Sequence, residues 1–216
     1  MHALYIPDGN KRYAQKHRIS LEEAYSEGGK NVARIIRWLS EEGVKDISVF
    51  VLAEHNLERP AEDVLAIARG SRHVIEHYFI PNPEMMKLKF EVIGTIEDNQ
   101  GLVSKVRAPF FEIAQATKNN LDGKVNFLVG YSGESEITKA LKSTPKTYKD
   151  LVNQSQLKSI DLIIRAGPIV RLSESPILPI NKNTAFFATG SLNPEVTEKD
   201  VRNILRDYRD YGNPNY

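Results

Sequence analysis

The sequence predicts an α/β fold: a single domain, residues 1–216, with a roughly six-stranded, mainly parallel sheet flanked by helices. Short β-type runs alternate with stretches of helical period, the pattern of parallel strands covered by helices. Residues 47–53 are almost wholly apolar, as a strand buried on both faces has to be. With 216 residues, 41% hydrophobic and 26% charged, the chain can build one core without disulfide or metal staples.

The elements follow in order. Residues 3–6 open as a strand. Ser20 and Glu23 have capping-box spacing, so a helix begins there, and Val32, Ile35, Ile36 and Leu39 give it one apolar face. Residues 47–53 form the central strand. A helix over 61–78 follows, then a turn at Pro81-Asn82-Pro83 and a strand over 88–93. A helix over 102–117, a strand over 125–129 and a helix over 134–141 continue the alternation. Residues 142–159 are polar and read as a loop. Strands over 162–164 and 185–188 close the set. Thr197 with Asp200 starts a last helix carrying Val201, Ile204, Leu205 and Tyr208 on one face.

Composition removes several function classes. Twenty-nine basic against 28 acidic residues give a net charge of +1, which excludes a whole-surface nucleic-acid footprint. With no cysteine there are no disulfides, thiolate metal sites or cysteine nucleophiles. No apolar run approaches the ~18–20 residues of a membrane span, and the first residues lack a secretory layout, so a cytoplasmic protein is expected. The Walker and dinucleotide glycine motifs are absent. His73 and His77 share a helix face, but without a carboxylate pattern they read as surface or packing residues.

In parallel sheets ligands collect beyond the carboxyl ends of the strands, and three segments lie there. Asp8-Gly9-Asn10-Lys11-Arg12 combines one carboxylate, a flexible glycine and two cations, which suits a diphosphate held with Mg²⁺. The same Asp-Gly-Asn string also suits an ordinary turn. His55-Asn56-Leu57-Glu58-Arg59-Pro60 offers a second cation, readable as a phosphate contact or a solvated helix start. Arg165 and Arg171 flank a Gly-Pro turn with Ser173 beside them, either an anion clamp or surface arginines.

Taken together, the blocks Asp8 to Arg12, Asn56 to Pro60 and Asp161 to Arg165 with Arg171-Leu172-Ser173 resemble the cis-prenyltransferases, the undecaprenyl diphosphate synthase family. Their order and separation match, and residues 88–94 and Tyr131-Ser132-Gly133 extend the resemblance over nearly the whole chain. The resemblance implies that Asp8 and Asn56 are catalytic and that Asp8 holds the cofactor Mg²⁺. It implies that Gly9, Asn10, Lys11, Arg12 and Arg59 bind the donor diphosphate, and that Arg165, Arg171 and Ser173 bind the acceptor diphosphate. Small prenyl diphosphates would be the substrates and a homodimer the working unit. No Asp-Asp-x-x-Asp occurs, which argues against the trans class.

The departures shape the rest of the expectation. Tyr13 stands for the family's Trp, and Leu21 and Tyr25 stand for an Arg and a His. The Ser-x-Glu-Asn-Trp stretch becomes Ala53-Glu54-His55-Asn56-Leu57, and Arg-Thr-Gly-Gly-Glu becomes Arg165-Ala166-Gly167-Pro168-Ile169. The family's last-strand Glu aligns with Thr184, leaving Glu54 or Glu134 as replacements. Arg69, Arg72, His73 and His77 on the helix after Arg59-Pro60 form either a solvated face or an obstacle to a long apolar product. A short-chain enzyme is therefore expected. Its donor would be dimethylallyl diphosphate or similar, and its acceptor isopentenyl diphosphate or a second dimethylallyl diphosphate, with an altered acceptor site open also to small alcohols or water. The alternative is a non-catalytic partner subunit. Such relatives have generally lost the first-block Asp and the phosphate-binding arginines, which this chain keeps.

Overall fold

The computed structural model describes residues 1–96 and 101–212. Six strands, β1 (His2–Ile6), β2 (Asp46–Ala53), β3 (Lys89–Ile93), β4 (Lys124–Tyr131), β5 (Leu162–Arg165) and β6 (Ala185–Ala188), form one sheet. Its order is β3-β4-β2-β1-β5-β6, and every pairing is parallel rather than mainly so. The chain lays β2 on one side of β1 and β5 on the other, so the winding direction reverses at β1. That reversal opens a crevice beyond the carboxyl end of β1. Register places Ile6 beside Arg165 and Ala53 beside Tyr131, so the segments leaving β1, β2 and β5 emerge at the same end.

Among the described residues six α-helices lie between the strands, α1 (Asn10–His17), α2 (Leu21–Glu41), α3 (Ala61–Val74), α4 (Leu102–Ala116), α5 (Gly133–Leu141) and α6 (Tyr148–Val152), and α7 (Glu198–Asp207) follows β6. Ser20 accepts from the Glu23 amide at 3.1 Å while Glu23 reaches back to Ser20 N at 2.9 Å, closing the expected capping box. The apolar stripe of α2 is buried at Ile35, Ile36 and Leu39. Gly70 of α3 presents bare backbone to Tyr25 of α2; a Cβ there would stand 2.8 Å from the Tyr25 Cβ.

Two segments differ from the sequence reading. The predicted helix over 61–78 is α-helical only to Val74 and continues as a π turn, Ile75–Phe79, which buries Phe79. The stretch 142–159, read as a loop, contains α6. Thr147 accepts from Asp150 N at 3.1 Å and Asp150 accepts from Thr147 N at 3.0 Å, so local capping holds five residues too few to show a periodicity. The larger core cluster includes residues of α2, α3, α4 and α7, whereas a smaller one gathers Leu4, Leu128, Tyr131 and Ile163. Among the described residues, no helix is long and apolar enough to cross a membrane.

Candidate active site

β1 ends at Ile6, and Gly9, with φ 106°, caps α1 from the left-handed region. The Tyr13 amide makes the first helical bond, to Gly9 O at 2.8 Å. The amides of Asn10, Lys11 and Arg12 thus have no partner within the helix, and the first turn of α1 is open to an anion. Asp8 stands at this mouth between two guanidiniums. Its Oδ2 is 2.6 Å from Arg165 Nη2, and its Oδ1 is 3.2 Å from Arg12 Nη2.

Arg165, at the end of β5, is only 3% exposed. Its Nη1 donates to Arg171 O at 2.9 Å and to Ser173 Oγ at 3.2 Å, so one buried cation ties the β1 exit to the loop after β5. Its Nε is buried without a partner. The Arg171 guanidinium makes no ion pair among the described residues, while Arg59 has only a neutral partner, Tyr25 Oη, at 3.2 Å. Tyr25 thereby orients Arg59. Lys11 is held by Asp63 at 3.0 Å.

An amide relay that starts from buried Tyr5 and Asn193 fixes Asn10. Tyr5 Oη donates to Asn193 Oδ1 at 2.8 Å, Asn193 Nδ2 to Asn10 Oδ1 at 3.0 Å, and Asn10 Nδ2 to Pro7 O at 3.1 Å. Asn31 donates to the carbonyls of Asn193 and Val196 at 2.7 and 2.9 Å. Burial pushes the Tyr5 hydroxyl far above its ordinary pKa, so it stays a neutral donor. Asn193, 183 residues from Asn10, carries no local signal that sequence reading could use.

The residues of the three strand-end segments, Asp8, Gly9, Asn10, Lys11, Arg12, Asn56, Arg59, Arg165, Arg171 and Ser173, line one cavity of about 240 Å³. Five cations and two carboxylates surround its mouth, and apolar side chains from α2, α3, α4, β2 and β4 line its depth. Phe79, Phe110 and Phe127 are among the deep residues. Their rings pack with centroids 4.6 Å apart for Phe110 and Phe127 and 5.9 Å for Phe79 and Phe127. Arg69, Arg72, His73 and His77 point outward: Arg69 pairs with Glu22 and Glu62, Arg72 with Glu76 and Glu112, and the two histidines stack at 4.4 Å. They are the solvated face of α3 and of the π turn that continues it.

The second carboxylate of the cavity is Glu174, which sequence reading missed although it adjoins Ser173. It contacts His55. Glu54 accepts from Ser135 Oγ at 3.0 Å, and neither Glu54 nor Glu134 lines the cavity. Thr184 precedes β6, with its Oγ1 donating to Ile160 O at 2.7 Å. The site end of β6 is Ala188, beside Arg165, so Thr184 lies about 13 Å away along the strand and a carboxylate there would not reach Asp8 of the same chain. Among the described residues, no three His, Cys, Asp or Glu side chains are grouped as an all-protein metal cage. Mg²⁺ binds through one or two carboxylates plus substrate phosphates, and Asp8 among cationic side chains fits that ion.

Comparison with known proteins agrees with this geometry. The family model described as "Putative undecaprenyl diphosphate synthase" matches residues 6–213. A dehydrodolichyl diphosphate synthase from Encephalitozoon cuniculi is 29% identical over 97% of this chain and 70% of its own length. A tritrans,polycis-undecaprenyl-diphosphate synthase (geranylgeranyl-diphosphate specific) from Sulfurisphaera tokodaii is 26% identical over 96% of this chain and 84% of its own. In fold, the chain is similar to lavandulyl diphosphate synthase from Lavandula x intermedia, solved in complex with dimethylallyl diphosphate, with a TM-score of 0.83, 21% identity and 96% and 94% of the two chains covered. A match over almost all of the chain, on a parallel sheet that gathers its cationic side chains and Asp8 at one crevice, places this protein in the undecaprenyl diphosphate synthase family, the cis-prenyltransferases.

Proposed function

We propose that this chain couples a short allylic diphosphate, dimethylallyl diphosphate or similar, to isopentenyl diphosphate or a second dimethylallyl diphosphate, releasing pyrophosphate. One observation carries the reading: a single cavity with a cationic mouth and an aromatic depth. Diphosphates match the first, and a short hydrocarbon tail matches the second. At about 240 Å³ the cavity is smaller than the ~300–1,000 Å³ typical of ligand pockets, which supports a short product.

The donor diphosphate would lie on the first-turn amides of α1, with Arg12, Lys11 and Arg59 around it. Arg171 and Ser173 would receive the acceptor diphosphate, with Arg165 holding both in place through its bonds to Arg171 O and Ser173 Oγ. Asp8 would hold Mg²⁺ together with substrate phosphate oxygens. When bound, that ion stabilises charge on the departing diphosphate. Asn56 Oδ1 accepts from Ala53 N at 3.3 Å, leaving both amide hydrogens to position the reacting carbons. The allylic C–O bond breaks with its electron pair leaving on pyrophosphate, and the acceptor double bond attacks the allylic carbon. Apolar side chains in the depth would disfavour water beside that carbon.

The reading includes a homodimer. It is supported by the outer edge of β6 and by exposed Ile169, Val170, Leu172 and Ile177 on the loop between β5 and β6.

The test is incubation of the purified protein with Mg²⁺ and dimethylallyl diphosphate, with and without isopentenyl diphosphate, followed by dephosphorylation and mass spectrometry. Prenyl alcohols of C10 to C20 support the reading, and product formed without isopentenyl diphosphate identifies dimethylallyl diphosphate as an acceptor. Chains of C50 or longer alone would remove the short-chain claim, and no condensation in either mixture would favour a partner subunit.

A further inference from the structure

The segment leaving β2 carries His55 into the cavity, and the β5–β6 loop carries Glu174 to meet it. Glu174 Oε1 lies 3.0 Å from His55 Nδ1, and the same carboxylate accepts the His55 backbone N–H at 3.1 and 3.3 Å. A carboxylate only accepts, so Nδ1 donates and the lone pair of the neutral ring sits on Nε2. Nε2 has no hydrogen-bond partner among the described residues. A ring nitrogen held by a carboxylate, with the other nitrogen unoccupied at a cavity, is the arrangement of a base and its orienting group.

The neighbours place this pair at the reacting centre. His55 adjoins Asn56 and Glu174 adjoins Ser173 in the chain, and all four line the one cavity whose residues would position the reacting carbons and the acceptor diphosphate. The other groups there are poor proton acceptors. Asp8 is engaged by two guanidiniums, Asn56 has no basic atom, and the Glu174 oxygens are committed to His55.

We infer that His55 is the base that completes the condensation and that Glu174 is its positioning partner, an assignment that rests on the prenyltransfer reading above. After the new carbon–carbon bond forms, the acceptor holds a tertiary cation. The adjacent C–H bond breaks, its electron pair becomes the new double bond, and the proton passes to Nε2. The resulting imidazolium is stabilised by the Glu174 carboxylate.

The experiment compares the wild type with His55→Gln and Glu174→Gln, using isopentenyl diphosphate deuterated at C2. If the wild type accepts only dimethylallyl diphosphate, that substrate deuterated in its methyl groups is used instead. Gln at 55 keeps a donor for Glu174 and loses the basic nitrogen. Matching circular dichroism and pyrophosphate affinity establish that each variant is folded. For His55→Gln the expected result is a fall in kcat of about 100-fold or more, with KM for both diphosphates little changed and a larger deuterium effect on kcat than in the wild type. Glu174→Gln is expected to move kcat and the isotope effect the same way by less.

Unchanged kcat and isotope effect in His55→Gln would overturn the assignment and leave pyrophosphate as the proton acceptor. A raised KM with unchanged kcat would also overturn it, because the pair would then be only a latch between two loops. A wild type that condenses nothing refutes the prenyltransfer reading and this role with it, whereas a condensing wild type with an unaffected variant refutes this role alone.

Discussion

Asp8 Oδ2 accepts from Arg165 Nη2 at 2.6 Å, joining residues 157 apart, and this contact neutralises a guanidinium that is otherwise sealed from water. The pair is structural as well as functional. Removing the carboxylate leaves a buried cation with only Arg171 O and Ser173 Oγ as partners. Asp8 itself is 28% exposed, so water recovers part of the loss, and Asp8→Ala is expected to cost about 1–3 kcal/mol. Asp8→Asn keeps an acceptor oxygen and is expected to cost less, while both variants lose condensation. Urea unfolding with parallel product assays checks this; full activity in either variant would contradict the role given to Asp8.

That contact also marks where sequence reading stops. All six strands were legible, because a fully parallel sheet writes itself as short apolar runs between helical periods, and even the half-buried Ala185–Ala188 kept that signature. The residue types of the cavity were legible as three strand-end segments. Their pairings were not: nothing local in the sequence joins Arg165 to Asp8, Arg171 and Ser173. The contact between His55 and Glu174 spans 119 residues, and a lone His and a lone Glu have no period to betray them. Thr184 shows what a short motif cannot carry: only the register places it before the end of β6 remote from Asp8 of the same chain.

The aromatic depth makes a claim about product length. Phe79 is 2% exposed and lines the cavity from the π turn after α3, against Phe127 of β4. Phe79→Leu removes ring volume while keeping the position apolar, at an expected stability cost of about 1–3 kcal/mol. The product distribution is expected to shift upward by at least one isoprene unit. Mass spectrometry of the dephosphorylated alcohols reads this directly, and an unchanged distribution would mean that the chain end does not meet Phe79.

Gly28 supports the donor block from beneath. A Cβ built there would collide with Asn10 Oδ1 and stand 2.6 Å from Asn193 Nδ2, the two atoms' residues being partners in the amide relay. Gly28→Ala lies in mid-helix, where Ala is intrinsically favoured, so any loss must come from that collision. The expected outcome is a stability cost of about 1–3 kcal/mol and a rise of about tenfold in KM for the allylic donor, with kcat less affected. A variant at least as stable as wild type with an unaltered KM would show that Asn10 can move without consequence.

His2 gives the fold a dependence on pH at the end of the sheet opposite the site. Its Nε2 meets Ser48 Oγ at 2.8 Å, its Nδ1 faces the carbonyls of Lys158 and Ser159 at 3.1 and 3.2 Å, and Asp46 is 3.8 Å away. Burial, opposed by Asp46 and those carbonyls, holds its pKa below 6.5. The unfolded chain therefore takes up this proton more readily than the folded one. Stability contributed here is complete well above about pH 6.5 and declines as the pH drops from there toward the folded-state pKa, by at most about 1.4 kcal/mol per pH unit. Urea midpoints at pH 8, 7, 6 and 5 for wild type and His2→Gln measure it. The difference between the two proteins is expected to shift toward the variant as the pH falls; a difference that stays constant across the series would show that His2 does not titrate differently on folding.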